Sequence, residues 1–125
     1  MTMNLKKIPY ELSVCKLNSV TDFNFDFDFC FFAKTDDEIS LVCKTEDVPF
    51  DVITRDDGWH GFYFQDTLDF SLIGVLSKIS AVLAENNIGI FAVSTYNTDY
   101  ILVKSENFDK AVSVLKSNGY TFVED

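Results

Sequence analysis

Basic residues are scarce in this chain: ten Lys and Arg stand against twenty Asp and Glu, for a formal charge of −10 at pH 7. A chain that acidic repels a phosphate backbone, which argues against nucleic acid as a partner. Long apolar runs are also missing. Stretches such as residues 88–93 fall far short of the roughly 18 to 20 residues a membrane-spanning helix needs, so no contact with a bilayer is expected. The first residues hold Lys6 and Lys7 but no apolar signal segment ahead of Glu11, and the expectation is a cytoplasmic location.

Cysteine and histidine are just as sparse. Cys15, Cys30 and Cys43 are odd in number and lie 15 and 13 residues apart, matching neither a paired-thiol zinc motif nor a secreted disulfide framework. They read as buried free thiols. His60 is the only histidine, next to Trp59, and no Cys or Ser stands at a nucleophile spacing from it, so it reads as structural rather than catalytic. Asp36-Asp37-Glu38 and Asp56-Asp57 lack EF-hand spacing or a His/Glu metal pattern and read as solvated turns. No metal, cofactor or catalytic residue is assigned. The basic, aromatic strand motif of single-stranded RNA platforms is absent as well.

What is present suits a folded globular protein: 47% hydrophobic and 24% charged residues. A chain of 125 residues allows one compact domain or two small ones sharing a core. Leu72, Val75, Leu76, Ile79, Val82 and Leu83 recur at helical spacing and predict a helix over 72–86 with one apolar face. Ser71 or Asp69 would cap its start, and Asn86-Asn87 would stop it through a left-handed turn. Residues 88–95 alternate as a strand, 96–99 supply turn residues, and 100–104 form the return strand. A second helix would bury Phe108, Ala111, Val112 and Leu115, with Ser105 or Asn107 as cap and Gly119 as stop. A closing strand at 120–123 and an aromatic strand at 59–65 complete the order βαββαβ, an α+β, ferredoxin-like plait. Its sheet is expected to have four antiparallel strands with both helices on one face.

The first half is predicted to be mainly β, with strands at 10–17, 29–34 and 39–44. Phe23, Phe25, Phe27, Phe29 and Phe31 alternate with Asn24, Asp26, Asp28 and Cys30, as in a strand that buries one face. Residues 36–38 read as a hairpin tip and 46–49 as a loop. No repeat strong enough to prove duplication stands out.

Two segments at this spacing and order, Leu68-Asp-Phe-Ser-Leu-Ile-Gly-Val-Leu76 and Ile90-Phe-Ala-Val-Ser-Thr-Tyr-Asn-Thr-Asp-Tyr-Ile-Leu-Val103, resemble the ACT domain, a regulatory module of amino-acid metabolism. The likeness covers residues 58–123 and is nearest to the ACT modules of aspartate kinase and of arginine-sensing relatives. Residues 39–43 with Val48-Pro49 resemble the weaker first repeat of small tandem-ACT proteins, although a short helix is expected where residues 23–28 carry the Phe/Asp alternation. The resemblance implies an ACT-like unit in 1–57 and an ACT domain in 58–125, side by side with joined antiparallel sheets. It implies a non-catalytic sensor that binds a small amino acid, dimerises, and regulates a separate enzyme or regulator. A module that only dimerises or docks, without a ligand, is the alternative.

The implied ligand residues are Asp69, Phe70, Ser71, Leu72, Ile73, Gly74, Val75 and Leu76 at the first helix, with Ser94, Thr95 and Asp99 at the hairpin. Elementary chemistry agrees with that placement. A helix N-terminus offers unpaired N–H groups and a positive dipole end to an α-carboxylate, and Gly74 leaves the backbone open to approach. Asp99 or Asp69, or the hydroxyls of Ser94 and Thr95, would accept from an α-ammonium.

Overall fold

The computed structural model describes residues 3–20, 26–65 and 74–123. Among these the chain runs β1 (Met3–Lys7), β2 (Leu12–Lys16), β3 (Cys30–Lys34), β4 (Ile39–Lys44), a 3-10 turn (Thr45–Asp47), β5 (Thr54–Phe64), α1 (Val75–Glu85), β6 (Phe91–Ser94), β7 (Asp99–Lys104), α2 (Ser105–Ser117) and β8 (Tyr120–Phe122). It divides into two compact units: unit 1 is Met1–Pro9 with His60–Asp125, and unit 2 is Tyr10–Trp59. Where the sequence suggested a division at 57/58, the first nine residues group with the second half of the chain.

In unit 1 the strand order is β6-β7-β5-β1-β8. The expected sheet of four antiparallel strands is corrected here, because β1 is inserted between β5 and β8. It pairs antiparallel with β5, Leu5 opposite Phe64, and parallel with β8, Leu5 opposite Phe122. Facing residues on paired strands share one side of a sheet, and successive residues alternate sides. Leu5, Phe62, Phe64, Ile101 and Val103 therefore point the same way, and onto them pack Ile79 and Leu83 of α1 with Ala111 and Leu115 of α2. These are the apolar stripes the helical spacing marks out.

The helix ends differ from expectation. The cap position of α1 is Gly74, in the left-handed region (φ 80°, ψ 8°) with no side-chain cap bond, while Ser71 and Asp69 lie outside the described residues. Lys104, extended and likewise without a side-chain cap bond, precedes α2. Ser105 and Asn107, the expected caps, are already inside that helix. The stops are as the turn chemistry requires: Asn87 has φ 61° and Gly119 φ 93°.

Unit 2 has the strand order β3-β4-β2-β5, every pairing antiparallel. Its core holds Cys15, Leu17, Leu41 and Cys43, with Cys30, Phe32, Ile39, Val48 and Val52 packed against it. The Phe alternation does not make the predicted strand. Residues 26–29 are turn and bend, and β3 begins only at Cys30. Cys30 faces Cys43, and β4 has only Lys44 beyond it before the turn at Thr45, so residues before Phe29 have nothing on β4 to pair with. Phe29 instead packs its ring against Tyr10 at 5.7 Å and Phe31 at 5.2 Å. Phe23 and Phe25 lie outside the described residues.

The two hairpins repeat each other. Pairs Phe31–Val42, Phe32–Leu41, Ala33–Ser40 and Lys34–Ile39 of β3 and β4 correspond, sixty positions on, to Phe91–Leu102, Ala92–Ile101, Val93–Tyr100 and Ser94–Asp99 of β6 and β7. Each tip is closed by a threonine. Thr35 N–H donates to Glu38 O at 2.9 Å, and Thr95 N–H to Thr98 O at 2.8 Å. Each return strand ends in an extended lysine, Lys44 or Lys104, that opens a helical turn.

Gly61 of β5 sits where strands crowd. A Cβ there would stand 2.5 Å from Leu102 Cδ2, 2.7 Å from Ile101 O and 3.0 Å from Ile8 Cδ1. A backbone oxygen cannot swing aside, so Gly61→Ala is expected to cost about 1–3 kcal/mol and to lower Tm by roughly 3–10 °C in a thermal melt. An unchanged or raised Tm would show that the strands relax around the methyl group.

Candidate functional site

Gly74 does two things at the start of α1. Its positive φ is a conformation that L side chains resist. Among the described residues nothing lies within 4 Å of a Cβ placed there. The left-handed backbone by itself calls for a glycine at this position. Lys78 N–H donates to Gly74 O at 2.8 Å as the first helical bond, which leaves the N–H groups of Val75, Leu76 and Ser77 without helical partners. Gly74 and Val75 line a cleft of about 200 Å³ with Met3, Lys78, Asn118, Gly119 and Tyr120. Among the described residues no carboxylate lines it.

The far wall of this cleft is the end of α2. Asn118 Nδ2 donates to Val114 O at 2.8 Å, and Gly119 turns the chain into β8. The positive end of one helix dipole and the negative end of another thus border the same small volume.

Ser94, Thr95 and Asp99 lie at the same end of the unit 1 sheet but do not line that cleft. Thr98 Oγ1 donates to Phe64 O at 3.0 Å, which sets the β6–β7 turn beside the end of β5, where the chain departs toward α1. Ser94 and Asp99 face each other across the strands, on the side that carries the helices. Thr95 is engaged in its own turn: its Oγ1 donates to Thr98 O at 3.0 Å and accepts from Thr98 N–H at 3.4 Å. Leu76 is half-buried and packs against the core. Asp69, Phe70, Ser71, Leu72 and Ile73 lie outside the described residues. The sequence missed Lys78, Asn118, Gly119 and Met3, since three elements far apart in the chain bring them together.

The thiols of unit 2 form a second cluster. Cys43 hydrogen-bonds Cys15; that bond, reinforced by burial, pushes the Cys43 thiol up, and the same bond draws Cys15 below its usual range against the opposing effect of burial. Burial raises Cys30, with the nearby Asp47 carboxylate adding to it. All three are free thiols. Among the described residues no three His, Cys, Asp or Glu side chains are placed to hold a metal ion, and no helix is long and apolar enough to cross a membrane.

A β-sheet backed on one side by two helices, with a ligand-sized cleft at a glycine-started helix, defines a small α+β module of the ferredoxin-like kind. The ACT domain family model matches residues 54–117, just over half of the 125 residues, and the chain belongs to the ACT domain family. No curated protein matches it. Among solved structures, a protein from Agobacterium tumefaciens superposes with a TM-score of 0.85 at 29% identity, covering 100% of this chain and 95% of that one. The ligand-free regulatory subunit of aspartate kinase from Thermus thermophilus gives 0.61 at 8% identity over 90% of this chain and 95% of that one. Clostridium acetobutylicum aspartate kinase gives 0.63 at 16% identity, over 90% of this chain and 32% of its own. At those last two identities the likeness is one of fold.

Gly74→Ala is expected to cost about 1–2 kcal/mol from its left-handed backbone alone. Gly74→Asn should lose less, because Asn tolerates that conformation. Equal Tm values for the two variants in a thermal melt would show that conformation is not what selects glycine.

Proposed function

We propose that this chain is a non-catalytic, cytoplasmic regulator of the ACT type that binds a small amino acid at the start of α1. One observation carries the proposal: the cleft lies between the N-terminus of α1 and the C-terminus of α2. A zwitterion matches that polarity. Its carboxylate would meet the unpaired N–H groups after Gly74, with Lys78 beside them, and its ammonium would turn toward the last carbonyls of α2. A volume of about 200 Å³ suits a ligand with a short side chain. Asp99 and Ser94, on the helix-bearing side at the same end of the sheet, are the alternative acceptors for the ammonium.

The chain is further proposed to be two ACT-like units in tandem. The matching hairpin registers of β3–β4 and β6–β7 support this, and in unit 2 the 3-10 turn at Thr45–Asp47 stands where unit 1 has α2. Pro49 soon after that turn removes an N–H that a longer helix would need. Ligand binding would bias an association, as a homodimer or with a separate enzyme or regulator.

Thermal unfolding in the presence of each common amino acid tests the proposal. A ligand at 100 times its Kd stabilises by about 2.7 kcal/mol, so one or two amino acids should raise Tm by several degrees, and Lys78→Ala should shrink that rise. Asp99→Ala decides which group receives the ammonium. A panel with no rise at any amino acid would refute ligand binding.

A module that only associates is the second reading. Tyr63 and Tyr100 pair their rings at 5.2 Å, and Tyr100 is joined by half-buried Val93 opposite it on β6, on the sheet side away from the unit 1 helices. A dimer in sedimentation that is indifferent to every amino acid would favour it.

A further inference from the structure

At the opposite end of unit 1, a second cleft of about 400 Å³ is lined by Lys6, Lys7, Ile8, Pro9, His60, Phe108, Phe122 and Val123. All of these belong to unit 1, and none lines the cleft at Gly74. Its composition runs against the rest of the chain. Twenty carboxylates outnumber ten bases overall, yet among the described residues this lining holds two lysines and the chain's one histidine, and no Asp or Glu.

The register explains how they meet. Lys7 faces Phe62 and so points to the helix-bearing side, as does His60, two residues before Phe62 on β5. Phe108 comes from the first turns of α2 and Phe122 from the end of β8. The His60 ring packs on Phe108 with centroids 5.6 Å apart. The Lys7 ammonium stands 5.9 Å from the centroid of Phe108 and 6.0 Å from that of Phe122. Among the described residues it has no carboxylate within ion-pair distance. Charge above two aromatic faces is held by the rings while its N–H donors stay available.

We propose that this cleft binds a small anion carrying a flat apolar group, such as an aryl carboxylate or aryl phosphate. The anionic head pairs with Lys7 and takes a hydrogen bond from His60 when that ring presents an N–H. The flat part lies against Phe108 and Phe122, where stacking and burial of apolar area favour it. Lys6 at the rim adds positive potential. Neither acetate nor an uncharged arene satisfies both halves of such a site, and a cation is repelled.

His60 makes the test direct, because a lone histidine gives a single set of imidazole proton resonances. Phenylacetate and phenyl phosphate are titrated into the intact protein and those resonances followed by NMR, with acetate and benzyl alcohol as controls for each half. The expected result is a saturable shift with one or both aryl anions and a far weaker one with either control. Phenylacetate alone would identify the head as a carboxylate, phenyl phosphate alone as a phosphate. Lys7→Gln should weaken binding roughly tenfold at unchanged Tm, and Lys7→Arg should bind like the parent. The proposal is overturned by no saturable shift with either aryl anion, by acetate or benzyl alcohol acting as strongly, or by undiminished binding to Lys7→Gln. An amino acid that raises Tm through the Gly74 cleft leaves the His60 signals in place, so the two sites stand or fall separately.

Discussion

Three strands of unit 1 come together at a point with no room for a side chain. At Gly61, β5 lies close enough to Leu102 and Ile101 of β7, and to Ile8 just beyond β1, that even a methyl group would collide. Ile8 N–H donates to Gly61 O at 2.8 Å, so the chain stays bonded to β5 past the end of β1. This close approach fixes how β1 lies against the middle of the sheet. Leu5 is then set between Phe64 and Phe122, and the helices find one continuous apolar floor.

Both clefts are products of that inserted strand. Met3, at its beginning, helps line the cleft between the helix ends. Lys6 and Lys7, at its end, supply the charge of the other. Without β1, β8 would have to pair with β5 directly, and neither lining would keep its composition. The strand thus contributes little to the buried core, with Leu5 its one fully buried residue, and much to what the unit can bind.

That division explains which features the sequence disclosed. The helices were legible because Ile79, Leu83, Ala111 and Leu115 recur at 3.6-residue spacing. The hairpin turns were legible because Thr, Asp and Asn cluster there. Gly74 stood out because a glycine at a helix start leaves the backbone open to approach; its left-handed conformation became visible only in the structure. By contrast β1 reads as a polar N-terminal segment, and its neighbour β8 lies more than a hundred residues away. The Phe alternation of 23–31 has the right period for a strand, but period cannot tell whether a partner strand is still there to pair with. Asn118 and Gly119 look like an ordinary helix stop until α1 is set against them. The hairpin repeat was hidden for a related reason: pairing register, and burial along the return strands β4 and β7, are kept while most side chains differ, Cys43 standing where Val103 does.

Unit 1 is discontinuous in the chain, its first nine residues separated from the remainder by the fifty of unit 2. This has a consequence in time. During synthesis the residues of β1 leave the ribosome ahead of β5 and have no unit 1 sheet to join until β5 follows. They gain their second neighbour only when β8 has been made. Unit 2 is local by comparison and closes its loops over short distances, whereas unit 1 must bring together segments far apart before contacts repay the lost chain entropy. The element that shapes both clefts is therefore secured only once β8 is in place, and the capacity to bind waits for that strand.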